Sequence, residues 1–458
     1  AVEILSRMSE LGLVRTEASG TRLTESGSES AVRILRTHRL WERYLADRTG
    51  LPAGEWHDHA ERMEHSLTDA EADALEARLG HPRWDPHGEP IPTATGELPP
   101  VRGFSLLSAE AGRSVEVIDL EGATLLPGLV DTHVHLVFDA SADPVGALDA
   151  RDDDAARDAI VSAARTAALG GITTVRDLGD RDYLTLAMRD RSGLPTIVCA
   201  GPPLTTPGGH CHYLGGVTER GADAVRRAVR THAERGVDVI KVMASGGLLT
   251  PGTREAQSQF TPDELLAIVE EAHHVGLPVT AHAHGTPAIV AALAAEIDGL
   301  EHATFWTDAG IESPDDVIAE IGARHLPIGA TAGFAPAPDA PFDDDTSARI
   351  PKIVANVFRL RDAGATIVPG TDAGVHPSKP HDVARYAVEQ LVHFGMSADE
   401  ALHGATAAGA VVCGLGDRKG RIAEGYDADV LAIDGDPLTD PSALHAIRAV
   451  FLRGERMH

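Results

Sequence analysis

The sequence predicts a multidomain chain: a large α/β domain of the (β/α)8 barrel type, a small β unit behind it and a mainly α-helical module in front. Three observations predict this. From about residue 115 onward, eight apolar runs of strand length alternate with Ala-rich helical stretches across about 250 residues. Before that point, apolar residues recur at helical spacing and end in a Pro/Gly-rich stretch. After Gly420, the segment GRIAEGYDADVLAIDGDP breaks into short strands and turns.

At 458 residues the chain has room for two to four domains, or for one large barrel with additions. Hydrophobic residues at 43% and charged residues at 24% suit an ordinary globular protein with an Ala, Val and Leu core. Forty basic residues against 69 acidic ones leave a net charge of −29. That field repels phosphate and excludes a whole-protein role as a basic nucleic-acid coat. The imbalance is uneven: residues 1–50 carry +1 and residues 51–100 carry −8. No apolar run approaches the roughly 18 residues of a membrane span. No charged-then-apolar leader is expected at the start. Cys199, Cys211 and Cys413 are too few, and odd in number, for a disulfide framework, so a reducing cytoplasm is the expected setting. Nearly all basic residues are Arg. Lys241, Lys352, Lys379 and Lys419 are the only lysines, which singles out any Lys in an apolar strand.

Residues 1–14 place Val2, Ile4, Leu5, Met8 and Leu11 at helical spacing, with Gly12 as the stop. Residues 15–27 read as a short hairpin with Gly20 at its tip. Amphipathic helices are expected over Ser28–Asp47 and about Trp56–Leu67. A third starts at Thr68, with Asp69 and Glu71 in its first turn, and ends near Gly80. Residues 81–103 read as a semi-rigid linker. Strands are expected at Leu129–Leu136, Ile172–Arg176, Thr196–Ala200, Asp238–Met243, Val279–His282, Gly299–His302, Ile328–Thr331 and Thr366–Gly370. The domain boundaries that follow are 1–27, 28–97, 98–125 for a linker and small β segment, 126–418 for the barrel, and 419–458 for the C-terminal β segment.

LPGLVDTHVHL ends the first barrel strand with His133 and His135, two residues apart and so on one strand face. Alone, they would equally be ordinary strand histidines. Their company decides. DVIKVMASGG ends the fourth strand with Lys241 among Val239, Ile240, Val242 and Met243, where burial costs several kcal/mol unless the amine is neutralised or paired. VTAHAHG ends the fifth with His282 and His284, GLEHATF the sixth with His302, and IVPGTDAG the eighth with Asp372. All sit at the strand ends where barrel active sites are built. Neutral imidazoles with carboxylates suit zinc, and the harder ligands admit Mn or Fe. A Lys amine deprotonated beside cations is able to take up CO2 and become a carbamate that bridges two metals; the residue types allow this without demanding it. Arg176 and Asp177, ending the second strand, are either barrel-stabilising or substrate-orienting. His210 and His212, in GGHCHYLGG, either line the pocket or are loop histidines, and Cys211 between them reads as a free thiol.

As a set, PGLVDTHVHL, IKVMASGG, VTAHAHG, EHATF and PGTDAG resemble the amidohydrolase superfamily, over about residues 117–458. GRIAEGYDADVLAID resembles its C-terminal β-sandwich segment, here a small remnant. IKVMASGG and the HAHG turn are most similar to the branch containing imidazolonepropionase-like enzymes and Xaa-Pro dipeptidases. The resemblance implies a TIM-like barrel with two divalent cations, zinc first and Mn or Fe next. One cation would bind His133, His135, carboxylated Lys241 and Asp372; the other would bind Lys241, His282 and His302. It implies attack of a metal-bridged hydroxide on an amide or lactam carbonyl, with Asp372 passing the proton to the leaving nitrogen. Asp372, Lys241 and His302 are thus the expected catalytic residues. His284 stands where relatives often place a substrate contact, and His210, His212 and Arg176 complete the expected substrate set. Peptide-like, N-acyl amino acid and cyclic amides are the substrate classes, and a homo-oligomer is expected.

In the first amphipathic helix, His38 and Glu42 are four apart on one face. In WHDHAERMEH, Glu61, Glu64 and His65 share a face, with His57 one turn earlier. Such groups form metal sites on helices; a solvated acidic face is the competing account. RMSELGLV, RLTESGSESA, RTHRLWERYLAD, WHDHAERMEHSL and HPRWDPHGEPIP resemble the metal-dependent repressors of the diphtheria-toxin-repressor/manganese-regulator family over residues 1–97. That implies one metal site from His38, Glu42 and His57 and another from Glu61, Glu64 and His65. Mn or Fe would bind there, and the carboxylate of Glu61, where iron-type relatives often carry Cys, leans toward Mn. It also implies a dimerisation surface. Residues 1–27 then read as a partial winged helix that opens inside the recognition helix, which leaves DNA binding incomplete. The two resemblances meet near Asp119–Gly122, as though two truncated proteins were joined there. The leading expectation is a metal-dependent amide hydrolase with a repressor-like module. Its rival is a metal-responsive DNA-binding regulator with the barrel as passenger. A degenerate, inactive barrel is a third account, against which the intact ligand set stands.

Overall fold

The computed structural model describes residues 7–9, 11–17, 20–49, 51, 53–63, 67–83, 85, 91–94, 96, 120, 122–189, 191–337 and 344–457. It divides into two units, Ala1–Val117 with Ile422–Asp427, and Ile118–Arg421 with Ala428–His458.

In the first unit, Val14–Glu17 (β1) and Gly20–Leu23 (β2) form an antiparallel hairpin in which Val14 faces Leu23. Gly20 therefore opens the second strand. Helix α1 (Glu25–Arg48) starts three residues before the expected Ser28, because the Thr24 side chain caps it by accepting from the Gly27 N–H. Gly27 is required there: a Cβ would lie 1.9 Å from the Leu13 carbonyl oxygen. Helix α2 (Ala53–Met63) begins before Trp56. Helix α3 (Asp69–Arg78) opens on the Thr68/Glu71 capping box that the sequence marks. Leu40, Leu75 and Ile91 form the core between these helices, with Trp41 and Tyr44 packed against it. Arg36 reaches from α1 to Asp73 and Glu76 of α3. Of the helix expected over 1–14, residues 7–9 are helical. Most of the expected linker, residues 101–119, lies outside the described residues.

The second unit opens with β3 (Thr124–Pro127) and β4 (Leu129–Val134), followed by helices Pro144–Asp149 (α4) and Asp153–Leu169 (α5). Next come β5 (Ile172–Asp177), β6 (Thr196–Cys199), α6 (Ala222–Arg235), β7 (Ile240–Met243), α7 (Pro262–His274) and β8 (Val279–Gly285). Then follow α8 (Thr286–Ala294), β9 (Gly299–Thr307), the short β10 (Gly310–Ile311), α9 (Asp315–Ala323) and β11 (Pro327–Gly329). Helix α10 (Asp344–Ala363), β12 (Thr366–Val368) and helix α11 (Ala384–His393) complete the alternation. Strands β4–β5–β6 form one parallel sheet and β7–β8–β9–β11–β12 another, with β10 added antiparallel to β9. Single parallel bridges join the two sheets at both seams, Val134 to Ala373 and Leu204 to Val242. The arrangement is an α/β barrel-like ring. Strands β4 and β5 are buried along their whole length, polar residues included, so neither alternates between buried and exposed positions. Helix α5 buries Ile160, Ala163, Ala164 and Ala167 on one stripe, as its period requires.

The C-terminal strands Val430–Ile433 (β13), Ile447–Leu452 (β14) and Glu455–Arg456 (β15) form an antiparallel sheet whose fourth member is β3. Thr124 thus faces Ile433 across more than 300 residues of chain, so the expected boundary at 125/126 cuts through a strand. Among the described residues, no helix is long and apolar enough to cross a membrane.

Lys419 and Asp429 form a buried ion pair beside this sheet, and Asp429 also accepts from the Arg453 N–H at 2.8 Å. Breaking a buried pair from one side is strongly destabilising. Asp429→Ala is expected to cost about 3–5 kcal/mol in chemical denaturation. The Lys419→Met/Asp429→Leu double variant should recover most of it; an unchanged Asp429→Ala midpoint would refute the structural role.

Candidate metal centre

His133 and His135 stand at the end of β4, where backbone bonds fasten the chain after β12. The Asp372 N–H donates to the His133 carbonyl at 2.7 Å, and the His135 N–H to the Ala373 carbonyl at 2.9 Å. Asp131 adds a side-chain clamp, accepting from the Thr371 N–H at 2.9 Å and from the Thr371 hydroxyl. Asp372 itself is left-handed, at φ 62°, four residues past the end of its strand. This lacing sets its Oδ1 3.5 Å from His133 Nε2 and 3.2 Å from His135 Nε2. The Nδ1–H of His135 donates to the Gly179 carbonyl at 3.0 Å, which turns Nε2 toward Asp372. Lys241 Nζ, on β7, lies 3.4 Å from His133 Nε2.

A second group adjoins the first. His282, His284 and His302 each offer one ring nitrogen within 4.8 Å of the others. The His284 and His302 rings stack at 4.3 Å, and the His302 and His133 centroids are 5.4 Å apart. His282 Nε2 contacts the Gly246 carbonyl at 3.0 Å, and His284 Nδ1 contacts Thr304 Oγ1 at 2.8 Å. His302 Nε2 is buried with no hydrogen-bond partner.

Burial decides the protonation of these rings. It pushes His133 down to about 4, with the Lys241 charge adding to the effect, and pushes His284 down to about 4. His282 and His302 are driven well below the ordinary imidazole value by burial and by their neighbouring imidazoles. Burial also works against a charged His135, but Asp372 more than offsets it and the net shift is upward. Burial would raise Asp372; His133 and His135 instead hold it well below the carboxylate range. Lys241 is lowered to about 8 by burial, against the pull of Glu301 and Asp372. The result is four imidazoles held neutral, a fifth, His135, drawn toward its charged form by Asp372, one carboxylate and one readily deprotonated amine. The orphaned His302 nitrogen and the converging donors fit divalent cations of the zinc type.

Glu301, next to His302 in the sequence, is the residue that motif reading misses. Its Oε2 lies 3.2 Å from His133 Nδ1, while its Oε1 accepts from Arg176 at 3.0 Å and from the Thr280 hydroxyl at 2.7 Å. In a regular strand, residues 301 and 302 would face opposite sides. His302 has φ 71°, and this left-handed step turns both side chains inward. Gly329 makes the space: a Cβ there would lie 2.0 Å from Glu301 Oε2.

Two expected substrate residues lie off the cavity wall. Arg176 is buried behind the centre, donating to Glu301, to the Thr132 carbonyl at 2.7 Å and to the Val412 carbonyl at 3.4 Å, so it stabilises the barrel. His212 is exposed and bonds the Gly209 carbonyl at 2.9 Å, because Cys211, at φ 57°, turns the chain between the two histidines. His210 does reach the centre, with its ring 4.7 Å from that of His282. Above the metal-ready side chains lies a cavity of about 690 Å3. Trp306, Phe334, Ile353, Phe358 and Phe394 form much of its wall, and His210, His284 and Lys379 also line it.

In the first unit, the Glu42 carboxylate contacts His38 Nε2 and His57 Nδ1, each at 3.2 Å, so His38, Glu42 and His57 converge as a separate group. Glu61 is exposed on the same helix as His57, while Glu64 and His65 lie outside the described residues.

Barrel-like ring, His-x-His strand end, central lysine and final aspartate together define a family. Residues 124–457 match the model of the amidohydrolase family, and the chain belongs to it. Residues 24–93 match the metal binding and dimerisation domain of iron dependent repressors. The ochratoxinase of Aspergillus niger is 33% identical over 237 residues, 50% of this chain and 48% of that protein, so the chain spans about half the length of that curated relative. The crystal structure of a Xaa-Pro dipeptidase with methionine in its active site is similar at a TM-score of 0.63 and 26% identity, covering 75% of this chain and 90% of that one. At the N-terminal side, the iron-dependent repressor IdeR of Mycobacterium bovis is 41% identical over 93 residues, 20% of this chain and 40% of that protein.

Because Glu301 lies 3.2 Å from His133 Nδ1 and neutralises Arg176, Glu301→Gln should lower metal retention about 10–100-fold, the usual cost of losing an outer partner. Elemental analysis after dialysis against a zinc buffer reads this; wild-type retention in the variant would show that Glu301 does not support the centre.

Proposed function

We propose that the chain is a metal-dependent hydrolase that cleaves an amide or lactam C–N bond. The observation that carries this reading is the convergence of His133, His135, Lys241 and Asp372 with His282 and His302 around one buried spot, with His302 Nε2 left without a partner. In this reading His133, His135, Lys241 and Asp372 would hold one divalent cation, and Lys241, His282 and His302 would hold the second, inside a (β/α)8 barrel capped by a reduced β-sandwich. Lys241 would serve as a carbamate: its neutral amine nitrogen bonds to the carbon of CO2, one proton leaves to solvent, and the side chain becomes an anionic ligand. When bound, the pair supplies a Lewis-acid centre that acidifies water and polarises the scissile carbonyl.

The protein side of the reaction follows from the geometry. Asp372, held ionised, accepts the proton of the attacking water on its carboxylate and returns it to the leaving nitrogen. His135, with its Nδ1–H held by the Gly179 carbonyl, presents its Nε2 as a ligand 3.2 Å from the Asp372 carboxylate. His210 and His284 stand on the cavity wall as substrate contacts. The similarity to an ochratoxinase and to a Xaa-Pro dipeptidase supports this class of substrate. A substrate screen would cover Xaa-Pro dipeptides, N-acyl amino acids and lactams.

The N-terminal group His38–Glu42–His57 supports a second, separate metal site suited to Mn or Fe, on a module that would pair with a second copy. No described feature favours the DNA-binding regulator over the hydrolase.

Purified protein is expected to carry about two metals per barrel and to lose turnover on chelation, with recovery on adding zinc or manganese. Lys241→Ala should remove turnover and lower the metal count together. Unchanged turnover in that variant would reject the carbamate, and fewer than one metal per chain would reject the binuclear centre.

A further inference from the structure

The cavity above the metal-ready centre is walled by apolar side chains, and among the described residues its lining contains two lysines and no arginine. Lys241 belongs to the centre. Lys379 does not: it sits on the segment after Asp372 and is 95% buried, since only 5% of it is exposed. Its ammonium donates to the Thr331 carbonyl at 2.7 Å and stands 3.5 Å over the centre of the Phe334 ring. Among the described residues no carboxylate comes within ion-pair distance of it. The two acids whose fields reach it are turned elsewhere, Asp372 to His133 and His135, and Asp131 to Thr371. A buried ammonium has three protons to satisfy, and one carbonyl with one ring face leaves capacity unused.

The surroundings hold this ammonium in place. Gln390 also lines the cavity, but its amide is spent on the backbone: Oε1 accepts from Gly333 and Phe334 N–H at 3.2 Å each, and Nε2 donates to the Phe334 carbonyl at 2.9 Å. Gln390 thus fixes the ring on which Lys379 rests. The Lys379 backbone is pinned as well, its N–H bonded to the His376 carbonyl at 2.7 Å and its carbonyl accepting from Gly374 at 2.8 Å. Burial pushes the Lys379 amine down to about 7, against the fields of Asp372 and Asp131, so a carboxylate placed beside it in the apolar cavity would hold it charged and pair with it.

We propose that Lys379 is the anion anchor of this cavity and selects substrates whose apolar, ring-bearing half carries a single carboxylate. Held there, the carboxylate supplies the counter-charge that the described residues do not place beside Lys379, while Phe334, Phe358 and Trp306 take the apolar body. Neutral amides of the same shape leave the ammonium unpaired and bind less well. The substrate half of this inference rests on the hydrolase reading; the binding half does not.

The test uses the full chain and two probes of matched shape, 4-phenylbutyrate and 4-phenylbutanamide, titrated by calorimetry. Wild type should bind the carboxylate at least about 10-fold tighter than the amide. Lys379→Met should erase that preference while changing amide affinity little, and Lys379→Arg should keep it. No preference in wild type overturns the proposal, even if the Met variant fails to fold. A preference that survives in Lys379→Met overturns it too, because the anion is then held elsewhere. In the kinetic arm, Lys379→Met should raise KM for an N-acyl phenylalanine but not for its carboxamide, with kcat nearly constant. If the binding preference follows Lys379 but no chain cleaves either amide, the hydrolase reading fails and the anchor stands.

Discussion

Everything at the centre depends on one buried carboxylate. Glu301 lies between the Arg176 guanidinium and the His133 ring, and it also accepts from Thr280. Each of these groups would be expensive to bury alone, and they are tolerable together because each answers another. The arrangement joins β5, which carries Arg176, to β8, which carries Thr280, and to β4, which carries His133, all through a residue of β9. The space it occupies exists because residue 329 on β11 has no side chain. The chemistry of the cup and the closure of the ring are therefore one problem with one solution. The negative charge of Glu301 also lets Arg176 and Lys241 share the same interior, since two cations there without it would repel in a low-dielectric medium.

How much of this was legible follows from the periodicity of strands. His133 with His135, Lys241, and His282 with His284 sit in runs where alternation holds, so their common face could be read directly. Asp372 was legible as a motif, but its position is not set by its strand. It comes from Asp131, which grips Thr371, and from the left-handed turn at Asp372 itself. Glu301 was hidden because His302 breaks the alternation that sequence reading assumes. His212 failed for the same kind of reason, with Cys211 turning the chain so that only His210 points in. Arg176 was read with two alternatives, and burial behind Glu301 chooses the stabilising one. Helix ends were off by a few residues wherever a cap, such as Thr24, lay outside the apolar pattern. The strand Thr124–Pro127 was split by the boundary at 125/126 because its partner, Val430–Ile433, lies at the other end of the chain. The apolar wall from α10 was likewise invisible, since its residues look like an ordinary amphipathic stripe until the cavity is seen.

The two metal-ready groups differ in a way that bears on what each can do. In the barrel, burial strips protons from His133, His282, His284 and His302, whose lone pairs meet in an enclosed cup. A cation bound there exchanges its surroundings with bulk water only through the cavity. In the N-terminal module, Glu42 is buried but His57 is exposed, with 68% of its side chain open to solvent. A cation held by His38, Glu42 and His57 keeps an open side, so its occupancy follows the free metal concentration more directly. Retention suits catalysis, where the cation must remain through many turnovers. Ready exchange suits sensing, where occupancy is itself the signal. The same residue types thus stand in two dielectric settings, and burial rather than ligand identity separates the two groups.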